Sequence, residues 1–116
     1  MRTHCLVLNE RALPWKVRCC DSFLQRARGL ICAPHAQRQW IWRLQPCNAV
    51  HTLFLPVSID VVFCNSAGEV LKVVAPLPSR RWAGQRTASS AWEFPAGITQ
   101  HLGLRRGDRL GLYDNS

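Results

Sequence analysis

The sequence predicts a mainly-β chain: one compact domain over residues 1–116, a β-sandwich, jelly roll or rolled sheet with two short helices. Three observations carry that expectation. The 116 residues suffice for one ordinary core and no second. Apolar residues come in short runs, several alternating with polar ones at the period of a half-buried strand. Two β-rich runs, 58–65 and 69–76, flank a short turn at Gly68, the pattern of a β-hairpin.

Each element follows from local chemistry. Residues 5–8 (CLVL) and 15–20 (WKVRCC) read as strands, the second alternating Trp15, Val17 and Cys19 with Lys16, Arg18 and Cys20. Asp21 or Ser22 can cap a helix over 23–30, with Phe23, Ala27 and Leu30 on one side and Gln25, Arg26 and Arg28 on the other. Gly29 supplies a left-handed residue near its end, and Pro34 lies beyond it. Residues 39–44 put Trp40, Trp42 and Leu44 on one strand face; Pro46 breaks that run, and 48–55 begins another strand. The hairpin at 58–76 carries so little charge that it reads as the sheet centre. Residues 77–90 are rich in Pro, Arg and Ser without sustained period, an exposed basic loop. A strand at 91–95, a helix within 96–104 placing Ile98 and Leu102 four apart, and a last strand entered through Gly107-Asp108 complete the chain.

The formal net charge is +8, from 15 Lys+Arg against 7 Asp+Glu. Clustered cations would suit a polyanion, but here eight lie in 1–43, one in 44–79 and six in 80–116. That distribution favours a β core with a basic rim over a dedicated nucleic-acid face. The six cysteines show no CxxC pair. The start MRTHCLVLNE has no apolar segment of signal-peptide length, so the expected location is cytoplasmic and the expected cysteines reduced. Cys47 and His51 make two candidate ligands where a structural zinc site wants four, so no metal and no cofactor is expected. No apolar run is long enough for a transmembrane helix.

The order of these pieces resembles the Domain of Unknown Function 192 family of prokaryotes. The carrying residues are RARGL at 26–30, CNAVHTLFLPVSIDVVFCNSAGEVL at 47–71, WEFPAG at 92–97 and LRRGDRL at 104–110, covering roughly residues 15–113. The resemblance implies a β-rich fold similar to a small jelly roll or clam-shaped barrel and implies no established activity. It also implies that many relatives are exported or lipid-anchored. Where many relatives have an aromatic-Met-Lys-Asn-Thr stretch, this chain has Val50-His51-Thr52, followed by Leu53-Phe54-Leu55. A methionine-lined pocket is therefore not expected here.

Five residues stand out as candidate ligand contacts: His51, Thr52, Asp60, Arg28 and Glu93. Asp60 interrupts an apolar strand on the face of Val62 and Cys64, where a carboxylate must be hydrogen-bonded, paired or functional. The structural role is the favoured reading. His51 can be a general base near neutral pH or a hydrogen-bonded rim residue. Thr52, its neighbour, points to the opposite side of a strand and suits a backbone contact. Arg28 resembles the family's Arg-Gly-Leu element and can bind an anion or pair with Glu93. Arg80, Arg81, Trp82 and Arg86 form a candidate partner-contact loop, unless Trp82 folds back to seal the core. No nucleophile elbow, phosphate loop or HExxH helix is present. The expected function is a non-catalytic binding or accessory module with a small cleft, its partner a protein or small molecule. The alternatives are a small enzyme using His51 and Asp60, and a basic nucleic-acid-binding domain.

Overall fold

Residues 3–20, 40–53 and 55–114 are described by the structure, a computed structural model. In chain order these residues form strands β1 (Thr3–Leu8), β2 (Arg11–Cys20), β3 (Ile41–Leu44), β4 (Ala49–His51), β5 (Ile59–Cys64), β6 (Val70–Leu77), β7 (Trp82–Gly84) and β8 (Ser90–Pro95). Helix α1 (Ile98–Leu102) and strand β9 (Leu110–Asp114) follow. The helix expected over 23–30, Arg28 included, lies outside the described residues. The mainly-β expectation holds.

The first hairpin turns on Asn9 and Glu10, both at positive φ (51° and 69°). Two such residues are what a tight hairpin requires, and Asn tolerates that region well. The β1–β2 register slips between Cys5 and Val7, opposite the stretch that holds Pro14. Proline has no N–H to give the ladder, and an irregularity accommodates it. Asn9 also ties this turn to the far end of the chain. Its N–H donates to the Arg109 carbonyl at 2.8 Å, and its Oδ1 accepts the Arg109 N–H at 2.8 Å.

Seven strands make one sheet in the order β6-β5-β8-β3-β2-β1-β9, with β2 and β3 parallel and the other pairs antiparallel. The sheet rolls until its two outer strands meet at one end only. There Glu69 bridges Arg109, and the Val70 N–H donates to the Asp108 carbonyl at 2.7 Å. It does not close into a barrel. The β5–β6 hairpin therefore sits at one side of the sheet, not at its centre as its low charge suggested. Its charge gap has another cause: all six residues of β5 are buried. Inside the roll, Val62, Cys64, Trp92, Phe94, Val17 and Leu6 pack together. The outer face of the same strands carries Ile59, Val61, Phe63 and Ala91.

That outer face is covered by a two-stranded ribbon of β4 and β7, which contributes Val50. Two expectations change here. The strand foreseen over 48–55 ends at His51, and the loop foreseen over 77–90 contains a strand, Trp82–Gly84. Thr52 accounts for both. Its N–H donates to the Arg81 carbonyl at 2.9 Å and its carbonyl accepts the Arg80 N–H at 2.8 Å. Once Thr52 holds the turn before β7, residues 82–84 are placed alongside β4.

At the β5–β6 turn, Asn65 Oδ1 accepts the N–H groups of Ala67 and Glu69, each at 2.9 Å. Gly68 has φ 84°, and a Cβ there would lie 2.4 Å from the Leu110 carbonyl oxygen. Both the conformation and the space demand glycine. Gly68→Ala is expected to lower unfolding stability by about 2 kcal/mol or more, measured by urea denaturation. A loss below about 0.5 kcal/mol, the range of neutral surface substitutions, would contradict this account of the turn.

Candidate functional site

Asp60 lies on β5 with 1% of its surface exposed. Its Oδ2 accepts three hydrogen bonds: the Gly97 N–H at 3.0 Å, the Thr99 N–H at 3.1 Å and the Thr99 hydroxyl at 2.6 Å. The N-cap position of helix α1 is Gly97, which has no side chain to cap it. The strand carboxylate thus does for this helix what an N-cap residue does elsewhere, satisfying N–H groups that have no intrahelical partner. Asp60 also lines a cleft of about 570 Å³ with Val73, Pro76, Thr99, Gln100 and Leu104.

His51 does not reach that cleft. The ribbon that carries it covers the Val61–Phe63 face of the sheet, whereas Asp60 alternates onto the other face. The acid–base pairing of His51 with Asp60 therefore has no geometric basis. His51 Nδ1 accepts the Leu53 N–H at 3.3 Å, and its ring meets that of Trp82 with centroids 4.7 Å apart and planes tilted by 50°. The two are cross-strand partners in the ribbon. Thr52 is fully buried; its Oγ donates to the Pro78 carbonyl and accepts the Arg81 N–H at 2.9 Å. It serves the backbone, as expected.

Trp82 points outward, 66% exposed, rather than sealing the core. Arg80 and Arg81 are exposed beside it, and Leu53 is 39% exposed at the same end of the ribbon. Arg86 belongs to the opposite end, where its carbonyl accepts from Asn48. The four residues of the candidate loop are thus divided: three cluster with His51 and one does not.

Glu93 forms a third feature. It is 4% exposed on β8, directly opposite Trp42 of β3. Trp40, Trp42, Leu55, Ile59, Phe94 and Glu93 line a small cavity. Burial pushes the Glu93 carboxyl up to about 8. Its Oε2 and the Trp42 Nε1 are both buried and have no hydrogen-bond partner among the described residues. The expected partner of Glu93, Arg28, lies outside those residues. Beside the cavity, the Arg18 guanidinium sits 4.2 Å and the Lys16 ammonium 5.6 Å from the Trp40 ring centroid. Sequence reading placed Trp40 and Trp42 together but missed their meeting with Glu93. That depends on the β3–β8 register, which no local pattern carries. The alternation of Lys16, Arg18 and Cys20 was the available signal for the cations over Trp40. Elsewhere, burial pushes the Cys64 thiol up to about 12, against a smaller opposing effect of its hydrogen bond with Ser90; such a thiol is inert.

Comparison with known proteins adds a family. The DUF192 family, described as uncharacterized ACR, matches residues 6–112. A UPF0127 protein of Pyrococcus furiosus is 37% identical over 98 residues, covering 82% of this chain and 84% of its own. A UPF0127 protein of Pyrococcus horikoshii is 32% identical over 111 residues, covering 90% and 96%. Among solved structures, a protein of unknown function from Novosphingobium aromaticivorans superposes with TM-score 0.74 at 13% identity, covering 94% of this chain and 83% of that one. A Sinorhizobium meliloti protein, provisionally assigned as a transcription regulator, gives 0.76 at 18% identity, covering 96% and 92%. At these identities the two structures establish the fold alone.

Two outcomes follow from the site geometry. Asp60→Ala leaves the first turn of α1 and the Thr99 hydroxyl without an acceptor, and is expected to cost about 2–4 kcal/mol in urea unfolding; a cost under about 1 kcal/mol would mean that Asp60 does not hold the helix. Glu93 has the opposite signature. Its folded pKa lies above its ordinary value, so the unfolded chain releases this proton first as pH rises. Stability from this group is fully present below the ordinary Glu pKa and is lost progressively up to about pH 8. Relative to the wild type, Glu93→Gln should therefore gain stability between pH 5 and 8; a difference independent of pH would contradict the buried neutral acid.

Proposed function

This chain belongs to the DUF192 family of uncharacterised proteins, and from that premise we propose that it is a non-catalytic binding module that engages an acidic segment of a partner protein through its His51–Trp82 face. The observation that carries the reading is Trp82: an indole two-thirds exposed yet packed at a tilt against the His51 ring in a ribbon that Thr52 holds in place. Exposed tryptophan is unfavourable in water and is the side chain that most often anchors an interface. Because the ribbon is already ordered, little conformational freedom is lost when a partner docks. Arg80 and Arg81 beside it give the face its sign, and Leu53 adds apolar area.

Catalysis has less support. Asp60 spends one oxygen on three donors, Thr52 is committed to the backbone, and His51 faces away from the Asp60 cleft. No helix among the described residues is long and apolar enough to cross a membrane. With this function we propose a cytoplasmic location, where cysteines stay reduced.

The test is fluorescence anisotropy of a labelled Asp/Glu-rich peptide containing one aromatic residue, with labelled oligothymidylate in parallel. Saturable binding of the peptide, weakened about tenfold or more by Trp82→Ala and less by Arg80→Ala or Arg81→Ala, is the expected result. Equal binding by wild type and Trp82→Ala would overturn the reading. Preferential binding of oligothymidylate, falling steeply with salt, would replace it with a nucleic-acid function.

A further inference from the structure

The outer edge of β6 is held at its start only. There the Val70 N–H donates to the Asp108 carbonyl at 2.7 Å, and the Val70 carbonyl accepts the Gly107 N–H at 2.9 Å. Farther along β6 a cleft of about 570 Å³ opens, with Val73, Ala75 and Pro76 on one wall and Gln100 and Leu104 on the other. Asp60 lines it from β5, and its two oxygens are used differently. Oδ2 takes all three donors, the N–H groups of Gly97 and Thr99 and the Thr99 hydroxyl. Oδ1 accepts no hydrogen bond from any described residue, and it is not among the polar atoms sealed inside the fold without a partner. A carboxylate has lone pairs on both oxygens. Here the pairs of one oxygen are turned to the cleft.

The chemistry selects among ligands. The cleft volume falls in the range of about 300–1,000 Å³ typical of small-molecule sites. Asp60 is the one titratable group among its described lining residues, so an anion is repelled and a donor is required. A cation donates through a charge-assisted hydrogen bond, roughly twice as strong as that of a neutral group. It also offsets a carboxylate charge held at an apolar wall, which is costly alone. A guanidinium is best bound by two carboxylate oxygens at once, and Oδ2 is already filled. One free oxygen suits a single-point donor, an ammonium. Val73, Pro76 and Leu104 then offer hydrocarbon to the carbon chain behind it, and the exposed Gln100 stands at the mouth.

We infer that this cleft is a binding site for a small primary amine, its ammonium held by Asp60 Oδ1 and its carbon chain lying along Val73, Pro76 and Leu104. Asp60 thus has two duties, one for each oxygen: it caps α1 and it receives the ligand. Nothing in this inference rests on the His51–Trp82 face, and the two can fail separately.

The test follows the amide resonances of Gly97, Thr99 and residues 73–75 in ¹⁵N-labelled protein during separate titrations with n-butylammonium, n-butanol, butyrate and N-butylguanidinium. The expected result is a saturable shift with butylammonium, and affinities for the other three weaker by about fivefold or more. Asp60→Asn places an amide oxygen on the Gly97 and Thr99 donors and turns an NH₂ group to the cleft. It should keep the helix cap and weaken butylammonium binding about tenfold or more. Ala75→Trp fills the cleft from the exposed edge of β6 without touching Asp60, and should abolish saturation. No saturable shift up to about 100 mM, well above millimolar affinity, overturns the inference. Equal binding of butylammonium by wild type and Asp60→Asn overturns it, as does binding of butanol, butyrate or butylguanidinium as tight as that of butylammonium. The four wild-type titrations need no variant, so the inference stays decidable even if Asp60→Asn fails to fold.

Discussion

Everything in this fold turns on a strand that has no solvent side. All six residues of β5 are buried, and a strand of that kind needs a layer on each face because its side chains alternate. One layer comes from the sheet itself, which rolls until β6 and β9 touch at the Glu69–Arg109 bridge. The other comes from the β4–β7 ribbon, whose Val50 packs over Val61 and Phe63. The ribbon has only three residues in each strand. Its place is set by Thr52, whose backbone and hydroxyl together grip residues 78–81.

Burying both faces also buries polar atoms, and two carboxyl groups meet different ends. Asp60 is surrounded by donors and serves as a helix cap from another element. Glu93 faces aromatic and aliphatic side chains, and its carboxyl is pushed toward the neutral form. A satisfied carboxylate oxygen such as Asp60 Oδ2 explains itself through architecture. Glu93 Oε2, next to the Trp42 indole, has no such partner among the described residues. Asp60 Oδ1, turned to the cleft, is where scaffold and candidate site meet in one residue.

Much of the fold was legible because its signals are local. The alternation in 39–44, the turn glycine at 68 and the i, i+4 pair Ile98–Leu102 each report an element through its own residues. What was not legible depends on distant pairing. The ribbon is built from segments about thirty residues apart, and Trp82–Gly84 is too short to announce a strand among the Arg, Ser and Pro around it. The low charge of 58–76 was legible, but its meaning was not, since burial by rolling and burial at a sheet centre leave the same composition. The structural role of Asp60 could be foreseen from its apolar surroundings. Its partner, the capless start of α1, could not. Of the candidate ligand residues, the sequence picked His51 and Glu93 individually and gave each the wrong neighbour in prospect or one outside the described residues.

The outer surface of the ribbon then becomes the feature most in need of a partner. The +8 charge, diffuse in the sequence, has two of its arginines beside the exposed indole of Trp82. An ordered aromatic with flanking cations is suited to a protein segment of opposite charge. The most direct measurement is a ¹⁵N–¹H correlation map recorded while an acidic, aromatic-containing peptide is titrated in. The account predicts shifts concentrated at residues 51–53 and 80–82, with the Trp82 indole among the largest. Shifts confined to residues 73–76 and 96–100 around the Asp60 cleft, or no shifts at all, would contradict it.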